Sequence, residues 1–221
     1  VTKVVPGVIF GKDGITNYGD DPANPWGSMR HVFWPRCDVK GTVKHGEEII
    51  EIEGLTMFVM ALQGMKPHHA AKAWNFLNFQ SEKYSAVQME FTTPPSYGNT
   101  TVNVGVLTSK DKILKCLVGN KVIHYEGTAD EVGWPVPKSI EYKFDGKSQE
   151  KDVDADIKGD LTNLAERVDV MAEIPQFVKN IVSGVAGTKP YIYQFCNNFT
   201  AQVGDDKENG IAFCEVTFIS E

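Results

Sequence analysis

The sequence predicts an all-β chain: an antiparallel lipocalin-like (calycin-type) barrel with one late amphipathic helix. Three observations carry that expectation. Strand-like alternation recurs in about ten segments of the 221 residues, short turns separate them, and one segment near the end has helical spacing. Many sequential strands fit an up-and-down barrel that closes on itself and removes its edges, with an interior wide enough for one ligand. A two-sheet sandwich has the same periodicity and remains the alternative.

Residues 1–27 read as a lead-in segment rich in glycine, proline and aspartate, and residues 28–221 as the barrel domain. Ser28 to Thr42 alternates, with Met29, His31 and Phe33 on one side and Arg30, Val32 and Trp34 on the other. Pro35 should break or bulge this strand, because it has no N–H for a ladder. Glu47 to Ile52 and Leu55 to Gln63 read as two further strands, and Lys66 to Ala73 as a short helical or irregular link.

Trp74 to Gln80 and Tyr84 to Phe91 then form a hairpin about a two-residue turn at Glu82 and Lys83. That turn pairs Trp74 with Phe91, Phe76 with Met89 and Asn78 with Val87, which makes one face almost wholly apolar. The other face sets Asn75, Leu77 and Phe79 opposite Glu90, Gln88 and Ala86, the mixture of apolar and hydrogen-bonding groups that lines small-molecule cavities. Both faces need cover.

Thr101 to Leu107, Ile113 to Val118 and Val122 to Glu126 continue as a meander, separated by turn residues. Ser139 to Phe144 and Lys151 to Lys158 pair about Asp145-Gly146, and Leu164 to Met171 extends the sheet. Pro175 to Val185 is the helix: proline suits a first turn, and Phe177, Val178, Ile181, Val182 and Val185 form one apolar stripe. Tyr191 to Val203 and Ile211 to Ile219 close the chain, with GDDKENG as a solvated turn between them.

Composition narrows the function. A net charge of −7 without a dense basic run gives nucleic acid no footprint. No apolar stretch reaches the roughly 20 residues of a membrane-spanning helix. The chain begins at Val1 and reads as a fragment or processed piece. Cys37, Cys116, Cys196 and Cys214 have no metal or redox spacing and read as free buried thiols of a reducing compartment. His68-His69 lacks a nearby third ligand and reads as a loop or packing pair. Glu90 and Glu215 stand on apolar strands as candidate buried carboxyls. No metal, cofactor or catalytic motif is expected.

The segments PWGSMRHVFWPRC (Pro25 to Cys37), FVMALQGMKPHHAAKAWNFLNFQSEKYSAVQMEFTTPPSYG (Phe58 to Gly98), VGWPVPKSI (Val132 to Ile140) and GTKPYIYQFCN (Gly187 to Asn197) resemble the second half of the fungal survival factor 1 family. The resemblance implies two lipocalin-like domains in tandem, with this chain supplying the second and its lead-in. It further implies a non-enzymatic intracellular carrier of ceramide-type sphingolipids that supports survival under oxidative stress. Its place would be the cytoplasm and the periphery of ER and Golgi membranes, with membrane contact made by an N-terminal segment outside this chain. Similar tandem folds include hydratases and pericyclases, so an enzyme acting on an apolar substrate is the alternative. For a carrier, Met29, Phe33, Trp74, Phe76, Met89 and Phe91 are the expected tail-binding residues, and His31, Gln88 and Glu90 the head-group residues. A filled core or a domain interface would use the same side chains.

Overall fold

The computed structural model describes residues 1–19, 21, 23–65, 67–145, 154–173 and 188–220. Three short strands, β1 (Thr2–Lys3), β2 (Val8–Ile9) and β3 (Thr16–Tyr18), pair with the long β4 (Gly27–His45), which pairs with β5 (Glu48–Gln63). The lead-in is therefore tied into a five-stranded sheet. Pro35 does bulge β4, where the register shifts between Trp34 and Cys37. The two strands expected at Glu47 to Ile52 and Leu55 to Gln63 are one, because β4 is continuous opposite them and its ladder carries the chain through Gly54.

The second sheet holds β6 (Ala73–Gln80), β7 (Ser85–Thr92), β8 (Thr101–Thr108), β9 (Ile113–Val118) and β10 (Lys121–Tyr125). A small hairpin of β11 (Thr128–Ala129) and β12 (Pro135–Val136) follows. Then come β13 (Ser139–Lys143), β14 (Ala155–Asp160), β15 (Leu164–Asp169), β16 (Tyr191–Val203) and β17 (Asp206–Phe218). All pairs are antiparallel, in the order β10-β13-β14-β16-β17-β6-β7-β8-β9 with β15 beside β16. The meander curls until β17 pairs with β6, as a lipocalin-like barrel requires.

Closure differs from the expected one at a single seam. The edges β9 and β10 follow each other through Gly119-Asn120 yet share no ladder among the described residues. The N–H of Val122 on β10 is instead engaged by the Glu90 carboxyl, and Lys121 O accepts from Gln88 Nε2 at 3.4 Å. Side chains of β7 take the place of a neighbouring strand.

The β6–β7 hairpin has the register read from the sequence, Trp74 to Phe91, Phe76 to Met89 and Asn78 to Val87. Leu77, Phe79 and Ala86 face into the curl, packed with Tyr142, Phe144, Phe195 and Phe199. Burying each large side chain there contributes about 1.5–3 kcal/mol. On the outside, Val87, Val104 and Val106 meet Val8, Phe10 and Phe33, so the five-stranded sheet covers this face. Beyond the bulge the β4–β5 hairpin projects, with Val43, Ile49, Ile50 and Ile52 exposed.

Two short α-helical turns, α1 (Pro67–Ala70) and α2 (Val170–Glu173), and a 3-10 turn at Pro95–Tyr97 are described, and the helix expected over Pro175 to Val185 lies outside the described residues. The GDDKENG segment is mostly strand rather than turn. Gly204, at φ +57°, turns the chain and β17 starts at Asp206, held by Lys83 Nζ at 3.0 Å and Tyr84 Oη at 2.9 Å.

Candidate functional site

Strand alternation divides the nine expected lining residues between two sides of the curled sheet. Seven lie between the sheets. Met29, Phe91 and Trp74 form one cluster and Phe33, Phe76 and Met89 another, and His31 joins them with ring centroids 6.2 Å from Phe33 and 6.3 Å from Phe91. Gln88 and Glu90 point the other way, into the curl. Neighbours on β7 alternate in facing, so the nine do not share one face of the sheet.

Glu90 is the centre of the inner polar group. Its Oε2 accepts from Asn103 Nδ2 at 3.0 Å and from Val122 N at 3.1 Å, and its Oε1 from Asn75 Nδ2 at 3.4 Å. With that nitrogen committed, Asn75 Oδ1 accepts from His124 Nε2 at 2.7 Å. Burial raises the Glu90 pKa, and the three N–H donors offset only part of that rise. The His124 pKa is lowered by the packing around its ring, although the side chain keeps an exposed edge. This line of bonds runs from a solvent-facing imidazole to a half-buried carboxyl.

An open cleft of about 680 Å³ lies at the seam, lined by Glu90, Asn103 and Asn120 with Val102, Val118 and Ile123. That volume is within the range of about 300–1,000 Å³ usual for small-molecule sites. Gly105 keeps room beside it, since a Cβ there would stand 2.9 Å from Asn120 Nδ2 and 3.3 Å from Gln88 Cγ. Asn103, Asn120 and His124 escaped the sequence reading, because a polar residue in an alternating strand looks the same facing a cleft as facing solvent. Pairing β7 with β8 in the meander finds Asn103, directly opposite Glu90.

Between the sheets the chemistry is different. His31 has no exposed surface, neither ring nitrogen has a hydrogen-bond partner among the described residues, and burial pushes its pKa down to about 4. Tyr18, edge-on to Phe91 at 5.4 Å, also has an unpartnered hydroxyl. The imidazole is neutral there and packs as an aromatic ring.

The other candidates are accounted for by packing. Glu215 accepts from Trp74 Nε1 at 2.6 Å and from Gln194 Nε2 at 3.0 Å on the outer face. His69 lies beside Tyr97, with ring centroids 6.1 Å apart, and the side chain of His68 is outside the described residues. The four thiols are free. Cys37 and Cys214 are buried as expected, whereas Cys116 is exposed, because it alternates with the inward-facing Lys115 and Leu117 on β9. Among the described residues no three His, Cys, Asp or Glu side chains gather as a metal site.

Comparison with known proteins agrees with this architecture. Crystal structures of CghA and of kievitone hydratase from Nectria haematococca superpose with TM-scores of 0.62 and 0.56 at 12% and 14% identity. They cover 97% of this chain and 64% and 58% of theirs, and at such identities they establish a shared fold. The ceramide-binding protein SVF1 of Debaryomyces hansenii is 67% identical over 223 residues, covering 100% of this chain and 59% of that protein. The protein of the same name from Candida albicans is 61% identical over 228 residues, covering 99% and 59%. The chain thus spans about three fifths of the length of these relatives. A model of the Svf1 family matches residues 1–220, and the chain belongs to that family.

Proposed function

We propose that this chain forms the ligand-holding part of a carrier for ceramide-type lipids, which takes the lipid through the cytoplasm and supports survival under oxidative stress. The observation behind this reading is the Glu90 array at the base of the seam cleft, where a carboxyl and the amides of Asn103 and Asn120 meet walls of valine and isoleucine. A ceramide brings one amide and two hydroxyls that need partners once removed from water, and hydrocarbon whose burial gains about 25 cal/mol per Å². The cleft offers both kinds of surface. The names of the relatives support the same ligand class.

A preceding lipocalin-like domain is the second partner in this reading. It covers the apolar residues left open on the β4–β5 hairpin and encloses the hydrocarbon that extends beyond the cleft. Contact with ER and Golgi membranes is then made by the segment before that domain. The test is lipid extraction of the full-length protein purified from its native host, followed by mass spectrometry. Stoichiometric sphingolipid, lost when Val118 and Ile123 at the cleft are changed to aspartate, is the expected result. Protein that carries no lipid, or loses none on these changes, overturns the assignment.

A further inference from the structure

Asn103 and Asn120 line the cleft, and Gln88 lies behind it beside Gly105. Asn103 Nδ2 donates to Glu90 Oε2 at 3.0 Å, Asn120 Nδ2 to Leu117 O at 3.1 Å and Gln88 Nε2 to Lys121 O at 3.4 Å. Each nitrogen makes one of its bonds within the fold, and among the described residues Asn103 Oδ1, Asn120 Oδ1 and Gln88 Oε1 are buried without partners. These three side chains are at least nine-tenths buried, at 4%, 4% and 0% exposure. A buried acceptor left unpaired costs about 1–3 kcal/mol.

Three nearby donors are directed elsewhere. Val122 N is held by Glu90, Lys115 Nζ donates to Phe144 O at 2.8 Å, and Lys121 Nζ points to Asp145 at 3.7 Å. The seam therefore has surplus acceptors, carries a carboxyl without a paired cation among the described residues, and continues into the apolar wall of Val102, Val118 and Ile123.

We propose that the seam cleft selects its ligand by hydrogen-bond donors, and that beyond N-acyl lipids it takes a protonated primary amine on an aliphatic chain. Glu90 supplies the counter-charge, Asn103 and Asn120 accept from the ammonium, and the chain lies along the valines. An ammonium has three donors and no acceptor, which matches a site with surplus oxygens. A fatty acid would set a carboxylate against Glu90 and the amide oxygens, and is rejected. This inference rests on the carrier reading and specifies the head group that its cleft accepts.

Isothermal titration of the full-length protein with dodecylammonium, dodecanol and dodecanoate tests it, with a short-chain N-acyl lipid titrated in parallel. Dodecylammonium is expected to bind at least tenfold more tightly than the alcohol and the acid, and Glu90→Gln should remove most of that advantage. Val118→Lys, at a position 65% exposed, adds a cation at the cleft without disturbing the core and should weaken the amine at least fivefold. Equal binding of all three dodecyl probes, or an amine preference that survives both substitutions, overturns the inference. If the N-acyl lipid binds without any amine preference, the carrier reading stands and this one falls. If nothing binds, both fall.

Discussion

The backbone N–H of Val122 donates to Glu90 Oε2 at 3.1 Å, so that a side chain of β7 holds the edge strand β10 where the sheet has no ladder. Glu90→Ala would leave that N–H and Asn103 Nδ2 unpaired, and is expected to cost about 2 kcal/mol. Glu90→Gln keeps an acceptor oxygen and should cost less than half as much. Urea unfolding gives the stabilities, and hydrogen exchange at the Val122 amide locates the damage. Protection lost equally in both variants would show that the charge, rather than the bond, secures the seam.

Gly105 controls the space behind the cleft. A Cβ there would meet Phe144 Cε1 at 3.2 Å as well as the Asn120 and Gln88 side chains. Gly105→Ala is therefore expected to destabilise the chain by about 1–3 kcal/mol through overpacking. It should also weaken lipid loading, because Asn120 has to move. An unchanged unfolding midpoint together with full loading would mean that this corner is loosely packed.

Much of the fold could be read from alternation because short turns leave little freedom of register. Glu82 and Lys83 fix which residues of β6 and β7 oppose each other, and the bulge followed from Pro35 having no N–H. A period of two defines two faces but says nothing about what covers them. The sequence could not tell that Phe76 and Met89 meet Phe33 of another sheet while Gln88 and Glu90 face the curl. The seam was hidden for a similar reason: Val122 has the pattern of a ladder residue, and its N–H is instead taken by a carboxyl 32 positions earlier.

Arg36 fastens the first sheet to the second. The bulge turns it inward, where its exposure is 5%, and its Nη1 donates to Ser81 O at 3.1 Å and Ser85 Oγ at 2.8 Å, its Nη2 to Glu82 O at 2.9 Å. Ser85 Oγ donates onward to Gln80 Oε1 at 2.6 Å, and Gln80 Nε2 returns to Pro35 O at 3.0 Å. Arg36→Ala should cost about 2–4 kcal/mol, since hydrogen bonds to charged groups are the stronger kind. Arg36→Lys should recover little, because an ammonium cannot span the positions reached by the guanidinium fork. Denaturant midpoints decide it, and a lysine variant as stable as the parent would rule out the fork.

His31 makes stability depend on pH. Its pKa is held near 4 in the folded chain against an ordinary 6.5, so between those values the unfolded chain binds the extra proton. The stability contributed by the neutral ring is fully present above about 6.5 and is lost as pH falls toward 4, a total on the order of 3 kcal/mol. His31→Leu removes that proton and two unpaired nitrogens from an apolar contact with Phe33 and Phe91. The variant should be about 1 kcal/mol more stable than the parent at neutral pH, and its advantage should widen on acidification. Glu90 and the other carboxyls titrate in both proteins, so the difference between the two curves isolates the imidazole. Parallel curves from pH 6.5 to 4 would mean that His31 is already satisfied by a partner between the sheets.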